Sequence, residues 1–147
     1  MLYDPIVAIQ VLSSVYAFAS LRPTEFIPPF ICAILLMLSL LLFWWSIFTA
    51  KSLDFAFSSN VGKLILAGPY SIIRHPFYAS YILTWLSTTL LFNSIFLWFT
   101  LVYLVTFYLS SARSEEKVIL KTERSSEYLN YIQNVGMFLP RIWKWKN

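Results

Sequence analysis

The chain's only histidine lies in the run Gly68-Pro69-Tyr70-Ser71-Ile72-Ile73-Arg74-His75-Pro76-Phe77-Tyr78. An arginine offers an anion a fork of donors, and a histidine carries or releases a proton near neutrality. Gly68-Pro69 is a turn signal. Pro76 suits the first turn of a helix, where its missing N–H would be unpaired anyway. A helix starting there directs its first amides at a carboxylate or other anion. On that helix Tyr78, Tyr81 and Trp85 follow i, i+3, i+7 spacing and share one face. About forty residues downstream, Arg113, Glu115 and Glu116 supply a second cation and two carboxylates. Together these groups give a cation-binding carboxylate, an anion-binding arginine, a helix N-terminus and an aromatic wall. Each also has a plainer reading: Arg74 and His75 as a membrane boundary, the glutamates as a solvated helix start, the aromatic stripe as packing. Their coincidence on one side of one hairpin favours a site.

The elements that must position these groups are set by composition. Of the 147 residues 59% are hydrophobic and 12% charged, about half the charge of a soluble domain, and the mean hydropathy is +0.67. This implies one all-α integral membrane domain over residues 1–147. The start has neither the basic residues nor the cleavage site of a signal peptide, so the chain is expected to be mature throughout. Cys32, the single cysteine, excludes an intramolecular disulfide and reads as a small packing residue. The three glycines, Gly62, Gly68 and Gly136, build neither a dinucleotide fingerprint nor a P-loop.

Four stretches approach the roughly 20 apolar residues that span a bilayer: Ile6 to Leu21, Pro28 to Ala50, Phe77 to Phe92 and Ser94 to Ser111. The first is the weakest, carrying Gln10 and serines; the second, leucine-rich, is the strongest. Only Asn93 and Ser94 separate the last two, which predicts a tight antiparallel hairpin. It brings the end of the fourth span, with Arg113 and Glu116, beside the start of the third. Of the eleven basic residues, all but Arg22 fall on one side of these spans. The positive-inside rule makes that side cytoplasmic, with both termini and the Arg74–His75 segment. The net charge of +4 favours an anionic leaflet. Beyond Ser111, partial helical periodicity over Ser114 to Gln133 predicts one or two amphipathic helices at the cytoplasmic interface. The mixture of aromatics and cations from Phe138 to Lys146 reads as a headgroup-depth anchor.

In these residues the chain resembles the isoprenylcysteine carboxyl methyltransferase family, a branch of membrane methyltransferases that also resembles phospholipid methyltransferases. The resemblance rests on Leu64-Ile65 before Gly68-Pro69-Tyr70, then Arg74-His75-Pro76-Phe77-Tyr78. It continues through Arg113, Glu115-Glu116, Glu127-Tyr128-Leu129-Asn130-Tyr131 and Leu139-Pro140, giving a signature region over 62–141. It implies S-adenosylmethionine as methyl donor, bound without a Rossmann fold. By position it places Lys63, Leu64, Ile65, Tyr70, His75, Pro76, Phe77, Tyr78 and Glu116 at the cofactor, and Arg113 on the substrate side, orienting the acceptor. The spacing from Arg113 to the glutamates is a residue tighter than in eukaryotic members, so Glu115 and Glu116 could exchange roles. The implied partners are membrane lipids and a lipophilic small-molecule or lipidated acceptor; nucleic acid and a metal are not expected, and the oligomeric state is left open.

The chemistry suits these groups. A glutamate can pair with the cofactor's ammonium or ribose, helix amides with its carboxylate, and aromatic faces with its adenine and sulfonium. A carboxylate acceptor is already ionised at neutral pH and needs no general base, whereas an amine or hydroxyl would call on His75 or a glutamate. Two rival readings stand beside this one. NADPH-dependent sterol-type reductases carry a similar Arg-His-Pro-x-Tyr segment, but typically continue with glycine and an acidic residue where this chain has Ala79-Ser80. A non-enzymatic membrane scaffold is the other.

Overall fold

The computed structural model describes residues 4–24, 27–50 and 64–141. Its helices are α1 (Asp4–Ser20), α2 (Pro29–Thr49), α3 (Pro76–Phe92), α4 (Ile95–Ile119) and α5 (Ser125–Asn134), with a 3₁₀ turn at Gly68–Ser71 before α3. Among the described residues there is no strand, only an isolated parallel bridge between Ile73 and Gly136. Two of these helices are long and apolar enough to cross a membrane, α2 with 21 residues and α4 with 25. At about 1.5 Å per residue both exceed the roughly 30 Å hydrocarbon core. α1 and α3 have 17 residues each, the low end of a spanning length. Leu12, Val15 and Phe18 of α1 and Ile34, Met37, Leu41 and Phe48 of α2 are exposed. Such surface is costly against water and cheap against hydrocarbon.

The chain divides into two compact units, Met1–Leu40 with Ser80–Ser110, and Leu41–Ala79 with Ser111–Asn147. In the first, Ala17, Phe92 and Leu97 form the core, with Leu91 packed against them. Small polar residues let α2 and α3 approach closely. The Ser39 hydroxyl donates to the Ser80 carbonyl at 2.7 Å and meets the Thr84 hydroxyl at 2.6 Å, and Ser87 donates to the Cys32 carbonyl at 2.7 Å. In an apolar surrounding such groups act as interhelical glue. Cys32 is buried, in keeping with a packing role. The turn of the α3–α4 hairpin is Asn93-Ser94, as the spacing predicts. Asn93 adopts φ +46°, a left-handed conformation that asparagine tolerates at a helix end, and its side-chain carbonyl accepts from the Trp98 indole at 2.8 Å.

The second unit is built around Tyr128, Tyr131 and Val135, with Leu64, Ile119, Leu120 and Ile132 against them. Here the chain departs from the expected interfacial helices. α4 runs unbroken past Ser111 to Ile119, absorbing the charged residues 113–117. Only ten residues then form a separate amphipathic helix, α5, and it turns Tyr128 and Tyr131 into its own unit. Of the apolar residues over 114–133, Ile119, Leu120, Tyr128, Tyr131 and Ile132 pack inside the unit, whereas Val118 and Leu129 stay exposed. Gly68, at φ +59°, sits where a Cβ would strike the Thr49 side chain, so the 3₁₀ turn lies tight against the end of α2.

The α2–α3 contact makes a measurable claim. Ser39→Ala should cost about 0.5–1.5 kcal/mol in unfolding of the purified protein, the range for hydrogen bonds between helices in lipid. Ser39→Leu should cost more, because a larger side chain has no space there. Equal stability of all three proteins would contradict the packing described.

Candidate functional site

Arg74 and His75 are placed by two neighbours. Ahead of them the 3₁₀ turn ends with Ile72 and Ile73 donating backbone N–H groups to the Pro69 carbonyl at 3.1 and 3.0 Å. After them α3 begins at Pro76, and Ala79 N–H donates to the His75 carbonyl at 3.0 Å, closing its first turn. Alongside runs residues 136–138: Arg74 N–H donates to the Gly136 carbonyl at 2.8 Å and His75 N–H to that of Met137 at 3.1 Å. Gly136 is required for this alignment, since a Cβ there would run into the Leu139 backbone carbonyl.

The side chains converge on Glu116, on the buried side of α4. Arg74 Nε donates to its Oε1 at 2.8 Å, and His75 Nε2 lies 3.1 Å from the same oxygen. The Arg74 and Glu116 side chains are 9% and 11% exposed, so each charge depends on the other for solvation it has lost to burial. The rest of the Arg74 guanidinium reaches the end of α5, where Nη1 donates to the carbonyls of Val135 and, at 3.4 Å, Ile132. Arg141 donates to the Ile132 and Gln133 carbonyls. Two arginines thus serve carbonyls that the helix leaves unsatisfied, at its negative end. The Tyr131 hydroxyl donates to the Tyr70 carbonyl, tying α5 to the 3₁₀ turn. Burial pushes the Tyr70 and Tyr131 hydroxyls up to about 12, so both stay neutral donors.

Glu115 differs from its neighbour. Its side chain is 52% exposed and its Oε2 lies 3.5 Å from His75 Nδ1, while its Oε1 accepts from the Tyr78 hydroxyl. The imidazole therefore has a carboxylate at each nitrogen, an arrangement satisfied on both sides only when both nitrogens carry hydrogen. Burial pushes the His75 proton off, but hydrogen bonds to Glu115 and Glu116 and their charges outweigh it and raise the pKa above the usual 6.5. His75 and Tyr78 stack with centroids 5.8 Å apart and planes at 19°, and Phe138 presents itself edge-on to both at 6.1 and 6.4 Å. The arrangement is a partly open carboxylate beside the Tyr78 and Phe138 rings, suited to a ligand cation.

The residues singled out in the sequence divide as follows. His75, Tyr78, Glu115 and Glu116 come together; Pro76 is buried, and Tyr70 is tied through its carbonyl to Tyr131. Phe77 packs edge-on to Phe43 of α2 at 5.8 Å, and Leu64 joins the tyrosine core; Ile65 is half-buried. Lys63 lies outside the described residues. Arg113 is exposed, while the anion-binding role expected of Arg74 is taken up by Glu116. The aromatic stripe separates: Tyr78 belongs to the site, whereas Tyr81 stacks obliquely on Tyr108 at 5.9 Å and the Trp85 indole donates to its hydroxyl at 3.4 Å. Sequence reasoning missed Phe138, taken for part of a headgroup anchor. The signal available was Gly136, one of three glycines, followed by Leu139-Pro140.

The chain matches the isoprenylcysteine carboxyl methyltransferase (ICMT) family over residues 30–121, well over half of its length. No curated protein and no solved structure matches.

Two outcomes test this geometry. Gly136→Ala should cost about 2 kcal/mol or more in unfolding, because the obstructing atom is backbone and cannot swing away. The raised pKa of His75 also fixes a sign. Its stabilising contribution is full below the ordinary 6.5 and is lost as pH rises through the raised native value. In a melting series on the alkaline side of neutrality, wild type should lose midpoint temperature that His75→Asn, already less stable, does not. A wild-type midpoint that climbs across this window would contradict the assignment.

Proposed function

Since the chain belongs to the isoprenylcysteine carboxyl methyltransferase family and is a membrane methyltransferase, we propose that it methylates a carboxylate on a lipophilic or lipidated acceptor, with S-adenosylmethionine as donor. Members of the family generally use that donor and act on lipidated substrates within membranes. The observation that carries the carboxylate is the environment of His75. An imidazole with a glutamate at each nitrogen and a raised pKa holds its protons and makes a poor general base. A carboxylate acceptor needs none, being ionised at neutral pH.

The residues fit the donor. When bound, S-adenosylmethionine supplies a methyl group on a sulfonium cation, beside an ammonium, a carboxylate and an adenine. Glu115, exposed and next to His75, Tyr78 and Phe138, is the carboxylate available to a ligand's positive groups. Glu116 contributes by holding Arg74 and His75 in place, which supports the exchange of roles between the two glutamates that the spacing left open. The start of α3 offers a helix N-terminus to an anion. Arg113, exposed on α4, orients the acceptor's carboxylate from the other side. In-line displacement depends on alignment and exclusion of water, and the buried Arg74–Glu116 pair supplies a rigid base for it. The same reading makes α1 to α4 four membrane crossings, with the termini and the site cytoplasmic, the side where ten of the eleven basic residues fall.

Equilibrium dialysis of the purified protein against labelled S-adenosylmethionine and against NADPH tests the donor. The first should bind and the second should not. Glu115→Gln should weaken binding about tenfold or more, the usual worth of a charged hydrogen bond, and Arg113→Ala should leave binding intact while lowering turnover. NADPH binding, or an unchanged affinity in Glu115→Gln, would overturn the assignment. Label transferred from the methyl group into a membrane extract should be released by mild base as methanol, the mark of an ester. Base-stable label would instead show an amine or ether product.

A further inference from the structure

α4 and the turn that follows it carry two lysines that the catalytic reading does not use. Arg113 and Lys117 are exposed at i, i+4 spacing, and Lys121 follows one turn later. There the chain tightens, with Lys121 N–H donating to the Val118 carbonyl at 3.1 Å. Arg113 and Lys117, so spaced, stand one above the other on a helix face, and Lys121 lies in the turn two residues beyond its end. None of the three side chains makes a hydrogen bond or ion pair among the described residues. The nearby acids point elsewhere. At 3.6 residues per turn, Glu115 and Glu116 lie about 160° and 100° around the helix from Lys117, and both are engaged by Tyr78, His75 and Arg74.

The same helix face, followed toward the N-terminus, is apolar and exposed. Ile95, Phe99 and Val102 are 72%, 71% and 60% exposed and stand at helical repeats from Arg113. In a membrane protein such a face lies against hydrocarbon. Where it turns basic, the long side chains reach the headgroup layer while their stems cover apolar surface. Unpaired cations at that depth meet the phosphates of anionic lipids.

We infer that Lys117 and Lys121, next along the chain from Arg113, form a docking stripe for anionic phospholipid headgroups of the membrane that holds the chain. The stripe recognises negative headgroups over zwitterionic ones, and the preference falls with ionic strength. The inference is independent of the methyl-transfer reading.

The test uses the full chain, purified in mild detergent and presented with equal amounts of phosphatidylglycerol and phosphatidylcholine, with retained lipid read by native mass spectrometry. Wild type should keep phosphatidylglycerol preferentially. The double variant Lys117→Gln/Lys121→Gln should lose about fivefold of that preference per lysine, the worth of about 1 kcal/mol for each basic group at an anionic surface. Arg22→Gln/Arg141→Gln, which changes net charge equally at a residue on the other side of the spans and at one already bound to carbonyls of α5, should keep most of it. Equal loss in both double variants would show an effect of net charge alone and overturn the stripe. Displacement of the retained lipid by equimolar inorganic phosphate would likewise overturn it, marking a site for free anions. A melting temperature near that of wild type verifies that the variants are folded.

Discussion

One carboxylate oxygen organises the second unit. Glu116 Oε1 receives Arg74 Nε and faces His75 Nε2, drawing together residues about forty positions apart in sequence. Removing charges this buried from water is expensive, and the cost is recovered only with good geometry and with the remaining donors satisfied. Arg74 meets the second condition by donating to the last carbonyls of α5, and its own backbone pairs with Gly136. The ion pair thereby fixes the start of α3, the end of α4, the end of α5 and the segment that follows it. Isosteric apolar replacements of both partners could preserve stability. They would not preserve the orientation of His75.

That orientation gives the family assignment chemical content. Held between Glu116 and Glu115, the imidazole keeps its protons, and the exposed carboxylate of Glu115 is left beside a small aromatic wall. The division of labour between adjacent glutamates follows from the helix: successive residues point about 100° apart, so one is buried and the other half open. The proposed transfer of a cationic donor's methyl group to an acceptor that already carries its charge is in keeping with an open carboxylate and with a histidine whose pKa is raised. The family match covers residues 30–121 and so includes Arg74, His75, Tyr78, Glu115 and Glu116.

Much of this was legible in the chain. Pro76 marked the start of α3, Asn93-Ser94 the hairpin turn, and Arg74, His75, Tyr78, Glu115 and Glu116 a group of side chains that does come together, because each depends on local helix geometry or charge. What was not legible depends on tertiary contact. The partner of Arg74 could have been a ligand anion or a protein carboxylate, and only the approach of α4 decides it. Phe138 reads equally well as a headgroup anchor or a packed ring, since an aromatic beside cations has no period to betray which way it faces. The amphipathic pattern after Ser111 reports an apolar face without saying whether lipid or protein covers it; the tyrosines of α5 cover their own unit.

The central claim is that Arg74 and Glu116 act as one unit. A double-mutant cycle on equilibrium unfolding, with Arg74→Met, Glu116→Gln and both together, measures their coupling directly. The account predicts a coupling of about 2–3 kcal/mol, near the upper end for residues in contact, with the double variant little worse than either single one. Strictly additive losses, with coupling close to zero, would contradict it.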